Sequence, residues 1–232
     1  MKIVLDPGHG GRDPGAVGYG LREKDLALDI ACKARDALAA YDVDVYMTRN
    51  ADVDMELTER AALANRLAAD IFVSIHCNAG GGTGFESYVY PGASDRTQAL
   101  QSAIHEHLGH FYDSYGLTDR GRKSANFAVL RLTQMPAILL ENLFIDTERD
   151  AAKLADSTFR QQIAGAIAGG LVEALGLQIR PDPVTKAVQA LCAAGVIASP
   201  DYWVRNARPG KIVDGEYAGL LIVNMAKKIR GE

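Results

Sequence analysis

The chain is poor in the features that mark the specialised classes of protein. Its three cysteines, Cys32, Cys77 and Cys192, are far apart and form no CxxC pair. That number and spacing argue against a disulfide framework and against a thiolate zinc knuckle. No apolar run approaches the roughly 20 residues of a membrane span, so no membrane partner is expected. Basic charge is also scarce. The 25 Lys and Arg are outnumbered by 29 Asp and Glu, for a net charge of −4, and no positive field points to nucleic acid. The first residues, MKIVLDPGHGG, run at once into a strand and a Gly-rich loop. They leave no room for a signal peptide, and synthesis in the cytoplasm is the expectation.

What is present is a chain of 232 residues, 48% hydrophobic and 23% charged, enough for an ordinary core plus a small appendage. Residues 24–41 carry Leu26, Ile30, Ala34, Leu38 and Tyr41 on one helical face, and the alternation over 43–48 predicts a half-buried strand. Further strands are expected at Lys2–Leu5, Ile71–His76, Phe85–Tyr90, Phe127–Leu130 and Ala137–Glu141. A helix with Thr58 as its N-cap should place Leu63 and Leu67 inward, and another should open at Ser94. The helix with Phe159, Ile163, Ile167, Leu171 and Leu175 at four-residue steps should stop at Gly176. Strands and helices in this order predict an α/β fold, a single mostly parallel twisted sheet flanked by helices.

Pro181 and Pro183 mark 178–183 as a linker. The balance of charge shifts there, from −6 over 1–180 to +2 over 181–232. The expected organisation is a catalytic domain at 1–177 and a small helical module at 184–232, with helices at Val184–Ala194 and Ala218–Ile229. Trp203 falls in the loop between them, where the core of so small a unit needs its one large aromatic.

The residues fit for chemistry gather at the carboxyl ends of the expected strands, where open α/β sheets place their sites. His9 follows the first strand, His76 and Asn78 the strand at 71–76, and Glu141 the strand at 137–141; Glu23 starts the first helix. Two imidazoles and a carboxylate make a known catalytic zinc set, leaving a second carboxylate free as a base. Glu141, directly after AILL, is where desolvation would raise a carboxyl toward the range of a useful base. The run HEHLGH at 105–110 resembles a zincin helix but has Gly109 where the second histidine belongs. These histidines are expected on an exposed helix face. Cys77, next to His76 on a strand, should point to the opposite face as a small buried residue.

The segments IVLDPGHGGRDPGAVG, REKDLALDIA, MTRNADVDMELTERAALAN, ADIFVSIHCNA and LLENLFI, in this order over residues 3–145, resemble the N-acetylmuramoyl-L-alanine amidases of type 3. The resemblance implies one zinc ion held by His9, Glu23 and His76, with Glu141 as the catalytic glutamate. It implies cleavage of the bond between the lactyl group of N-acetylmuramic acid and L-alanine in bacterial peptidoglycan. Asn78 is a candidate contact to the oxyanion or substrate. The expected setting is a phage or prophage endolysin that reaches the wall after release, and 184–232 would serve wall binding or self-association. The segment NLFIDTERD departs from the family pattern, which has a Gly-Phe and a later Asn. Two other readings stand beside this one. They are a zinc peptidase acting on stem peptides and a wall-binding protein with a vestigial metal site.

Overall fold

A computed structural model describes residues 1–231, which divide into two compact units, Met1–Ile179 and the residues from Arg180 onward. The first unit begins with β1 (Lys2–Pro7), a short antiparallel pair β2 (Val17–Gly18) and β3 (Leu21–Arg22), and α1 (Glu23–Leu38). β4 (Asp44–Met47), α2 (Leu57–Leu67), β5 (Ile71–Asn78), β6 (Phe85–Val89) and α3 (Asp95–Ser114) follow. β7 (Asp119–Ser124), α4 (Ala128–Leu132), β8 (Ala137–Phe144), α5 (Glu148–Ala155) and α6 (Ser157–Leu175) complete it. The second unit holds α7 (Pro183–Ala193), α8 (Pro200–Asn206) and α9 (Gly215–Arg230).

Six strands form one sheet in the order β4-β1-β5-β8-β6-β7. Every neighbouring pair is parallel except β8 with β6. This is the mostly parallel sheet flanked by helices that the sequence pattern predicts.

Side chains alternate across the sheet, and the two faces are covered unequally. Ile3, Leu5, Ile71, Val73, Ile75, Ile138 and Leu140 join the larger core with Ile30 of α1, Ile104 of α3 and Ile167 of α6. Val4, Phe72 and Leu139 face the other way, onto a smaller cluster with Ala64 of α2 and Val129 and Leu130 of α4. Further along the strands, Asp6, Ser74, His76, Glu86 and Glu141 share this second face. Thin cover here leaves His76 and Glu141 partly exposed, while Asp6, Ser74 and Glu86 are buried.

Several boundaries differ from the sequence reading. Residues 127–130 form no strand. The carbonyl of Phe127 accepts from the N–H groups of Leu130 and Arg131, which opens the short helix α4; an apolar run of that length fits either structure. β7, with the sequence DRGRKS, has no apolar pattern to announce it, because it is an edge strand protected by charge. The cap of α2 is Glu56, in a reciprocal capping box with Glu59, in place of Thr58. Leu63 and Leu67 are half-buried, and Ala61 and Ala64 supply the buried contacts. α1 stops at Leu38, before Tyr41. Ser94 and Gly176 behave as expected. Ser94 accepts from the N–H of Thr97, and Gly176 ends α6 at φ +61°.

In the second unit Trp203 lies on the helix α8, not in a loop. It is buried with Val188, Val196 and Ile197, and Tyr202 stacks on Tyr217 at 3.8 Å between ring centroids.

The loop after β1 is fastened by buried charge. Asp6 Oδ1 accepts from the Thr48 hydroxyl (2.6 Å) and from Arg60 Nη1 (2.8 Å), and Oδ2 accepts from the Ser74 hydroxyl (2.7 Å). Arg60 also donates to the carbonyls of Pro7 and His9. Removing one member of a buried pair strands the other without solvent. Arg60→Ala should therefore lower unfolding free energy by about 3–5 kcal/mol, measured by denaturant titration. A loss under about 1 kcal/mol would match a merely exposed pair.

Candidate active site

Three side chains from three elements meet near the carboxyl ends of β1 and β5. His9 stands on the Gly-rich loop, Glu23 is the first residue of α1, and His76 lies on β5, two residues before its end. Glu23 divides its carboxylate between the two rings. Oε1 lies 2.8 Å from His76 Nδ1, and Oε2 lies 3.1 Å from His9 Nε2. One donor atom from each residue fits within 4.8 Å of the others. Backbone N–H groups of Ala16 and Cys77 also donate to Glu23, 2.9 Å and 3.1 Å away, and hold it in place.

Local geometry makes room for this meeting. His9 has φ +59°, a left-handed conformation that a non-glycine residue adopts at some cost. At Gly8 an added Cβ would come within 2.2 Å of the His76 ring. At Gly15, with φ +66°, it would come within 2.7 Å of Glu23 Oε2 and 2.6 Å of the His9 ring. Glycine at both positions lets the backbone approach that closely. Arg49 donates to the carbonyls of Pro7, Gly8 and Lys24, tying the loop to α1.

The electrostatics are those of a carboxylate between two imidazoles. Burial opposes a charged His9, but the hydrogen bonds and charges of Glu23 and Asp13 outweigh it and push its pKa up to about 9. His76 is likewise raised, with burial opposing and Glu23 and Glu141 prevailing. Burial alone would raise Glu23, yet the two imidazoles hold it far below the usual carboxylate range. Two nitrogens and an oxygen that attract positive charge so strongly are a donor set into which a divalent cation fits in place of the two protons.

Glu141 stands beside this cluster, in the middle of β8 instead of at its end. On the sheet His76 pairs with Glu141, and Glu141 pairs with Glu86, so one rung carries three ionisable groups. Glu141 Oε2 is buried and has no hydrogen-bond partner among the described residues. Burial, reinforced by the nearby carboxylates, pushes its pKa up to about 7. Glu86 behaves in the opposite way. It accepts from Arg120 (2.7 Å), Lys123, the Tyr88 hydroxyl (2.7 Å) and Asn78 Nδ2 (2.6 Å). Burial would raise it, but Lys123, Arg120 and Tyr88 bring its pKa down to about 2. One N–H of the Asn78 amide is thus engaged by Glu86, and its Oδ1 accepts from the N–H of Ala79.

A cleft of about 600 Å³ runs past these groups, with Met55 and Leu57 on one flank and Phe127 and Val129 on another. The four residues singled out from the sequence for metal binding and catalysis all line it. Sequence reasoning missed Asp13, whose Oδ2 lies 2.7 Å from His9 Nδ1 and turns the other ring nitrogen to Glu23. It also missed the anchoring roles of Arg49, Arg60 and Glu86. Their one visible signal was a charged residue inside an otherwise apolar or motif segment.

Two expectations resolve differently. Cys77 is buried on the larger core, opposite His76, as strand alternation requires. His105 is not on an exposed face. It is 5% exposed, bonded to the Ser87 hydroxyl and to Asp119, and stacked on Phe85. His107 pairs with Glu173 and His110 is exposed, so the run at 105–110 assembles no shared site. In the segment NLFIDTERD, Leu143 takes φ +66° while fully buried. Asp146 and Asp150 secure the following turn by accepting from the N–H groups of Gly80, Gly81, Gly84 and Phe144.

Comparison with known proteins gives the family. The family model described as N-acetylmuramoyl-L-alanine amidase matches residues 3–173. The sporulation-specific N-acetylmuramoyl-L-alanine amidase of Bacillus subtilis is 49% identical over 180 residues, covering 77% of this chain and 69% of that protein. The endolysin of Bacillus phage SPP1 is 46% identical over 182 residues, covering 76% and 67%. Among solved structures, the catalytic domain of CwlV from Bacillus (Paenibacillus) polymyxa var. colistinus superposes with a TM-score of 0.71. It shares 36% identity, over 76% of this chain and 99% of that one. The chain belongs to the N-acetylmuramoyl-L-alanine amidase family.

Glu86 offers a test by acid. Its folded pKa of about 2 lies below the ordinary 4.5, so it stabilises the fold above pH 4.5, an advantage lost as pH falls toward 2. Glu86→Gln should be less stable than the parent at neutral pH and should lose less stability between pH 4.5 and 2, in thermal melts. Parallel acid profiles for the two proteins would contradict the assignment.

Proposed function

We propose that this protein is a zinc-dependent N-acetylmuramoyl-L-alanine amidase acting on bacterial peptidoglycan. The bond cleaved is the amide joining the lactyl group of N-acetylmuramic acid to L-alanine. The family supports the amidase activity and the substrate. The single observation that supports the metal is the convergence of His9, Glu23 and His76 donors within 4.8 Å. These three residues would hold one zinc ion, since two nitrogens and one oxygen suit it and leave a position open. When bound, zinc supplies a Lewis acid for the amide carbonyl and makes water a stronger acid.

The chain's own residues do the rest. Asp13 orients the His9 ring through its far nitrogen, the kind of outer contact on which metal affinity depends. Glu141 is the general base and acid. Its unpartnered Oε2 accepts a proton from the attacking water and returns it to the departing L-alanine nitrogen. Asn78, anchored on Glu86 by one N–H, keeps the second for the carbonyl oxygen. The cleft between Met55 and Phe127 suits a substrate that is large and branched. We assign the first unit as the catalytic domain and the second as a module for wall binding or self-association; of the residues expected as the linker, 178 and 179 belong to the first unit and Pro183 opens α7. Likeness to the phage endolysin favours a lytic setting at the cell wall.

Digestion of purified sacculi followed by mass spectrometry tests this reading. Free stem peptides with L-alanine at the N-terminus are expected. Cuts within the stem peptide would instead make the protein a peptidase. Glu141→Gln should keep its zinc and lose about 10²–10⁴-fold in turnover, whereas His76→Ala should lose both. Near-normal turnover in Glu141→Gln would overturn its role as base.

A further inference from the structure

The second unit has a face that its own fold does not use. α9 packs inward through Tyr217 and Leu221, and Asn224 donates to the carbonyl of Val196 at 2.8 Å. At 3.6 residues per turn these three lie on one side of the helix. Gly219, Ile222, Val223, Ala226 and Ile229 recur at three- and four-residue steps on the opposite side. Apart from Arg230 at its C-terminal end, that side is apolar and in water, with Ile222 69% and Ile229 83% exposed. No described residue of α9 is fully buried. The core behind it is small; among the described residues Val188, Val196, Ile197 and Trp203 form its buried centre. A unit of this size gains from burying more apolar surface in an assembly.

The charges at the edge of this face choose the occupant. Glu216 stands in the first turn of α9 and Lys227 in the last. They are separated by just over three full turns and so lie on the same edge. A second α9 running antiparallel, related by a two-fold axis beside Ile222, would set Glu216 of each copy against Lys227 of the other. A parallel two-fold pairing would carry the Glu216 edge of one helix to the side away from its partner's charged edge, facing Ala218, and would form no ion pair. Gly219 and Ala226, close to the middle of the face, let two helices approach.

We propose that the protein self-associates through α9, as an antiparallel pair of helices with Ile222 at its centre and two symmetric Glu216–Lys227 ion pairs. Such an interface is isologous and closes at two copies. It links two catalytic domains on one polymeric substrate, so that binding by one raises the effective concentration of the other. A helix pair about 24 Å long is a small interface, and dissociation in the micromolar range is the expected strength.

Sedimentation of the full chain over about 1–300 μM reads this directly. The parent should pass from monomer to dimer across that range, and Ile222→Asp should remain monomeric with an unchanged circular dichroism spectrum. Glu216→Lys and Lys227→Glu should each weaken association about tenfold, and the two combined should restore it to within about twofold. A parent that stays monomeric throughout would overturn the proposal. So would a dimer indifferent to Ile222→Asp, or charge reversals that the double variant does not repair. A monomeric parent whose pelleting with purified sacculi is abolished by Ile222→Asp would likewise overturn it, and would give this face to the wall. Hydrolysis of soluble muropeptides should be the same in all variants, which separates the proposal from the catalytic reading.

Discussion

Glu23 is the residue on which the rest of the arrangement depends. Its two oxygens face two imidazoles, one from the loop after β1 and one from β5. A charge so nearly buried is tolerable only where positive charge meets it. That requirement fixes where α1 starts, how closely the Gly-rich loop may approach, and which face of β5 carries His76. Gly8 and Gly15 are small for this reason, and His9 is held at positive φ. Asp6, Arg60 and Arg49 form the buried support beneath, fastening the same loop through its carbonyls.

The rung His76–Glu141–Glu86 shows how one sheet sets two carboxyls apart. Adjacent strands bring them to the same face, yet their surroundings differ. Glu86 has two cations and a phenol, and remains ionised. Glu141 has an oxygen with no partner among the described residues, and its pKa is pushed up to about 7. Pairs of titratable groups driven apart in this way mark where acid and base roles divide. Here one carboxyl stays fixed and anchors Asn78, while the other is free to exchange a proton. The thin cover of α2 and α4 on this face leaves Glu141 on the wall of the cleft.

Much of this was legible in the residues. The apolar spacing of α1 and α6 gave their core faces, and the strand pattern gave the parallel sheet and the neighbourhood where His9 and His76 would stand. The motif segments paired those histidines with Glu23 and Glu141. What stayed hidden has identifiable physical causes. β7 carries no apolar pattern because an edge strand needs none, and α4 is too short for its apolar run to distinguish helix from strand. His105 looked like a surface residue because Ser87 and Asp119, which satisfy it, come from other strands. Asp13 and Arg60 act through contacts made only when the loop closes, and spacing along the chain does not reveal them. Leu143 holds a left-handed backbone that its side chain disfavours, which no local propensity anticipates.

Metal content of the purified protein tests the centre of this account most directly. After loading with zinc and removal of the excess, the parent should retain one zinc per chain, and Glu23→Ala should retain none. A Glu23→Ala protein that is folded and still holds a full equivalent of zinc would contradict it, because the ion would then sit somewhere else.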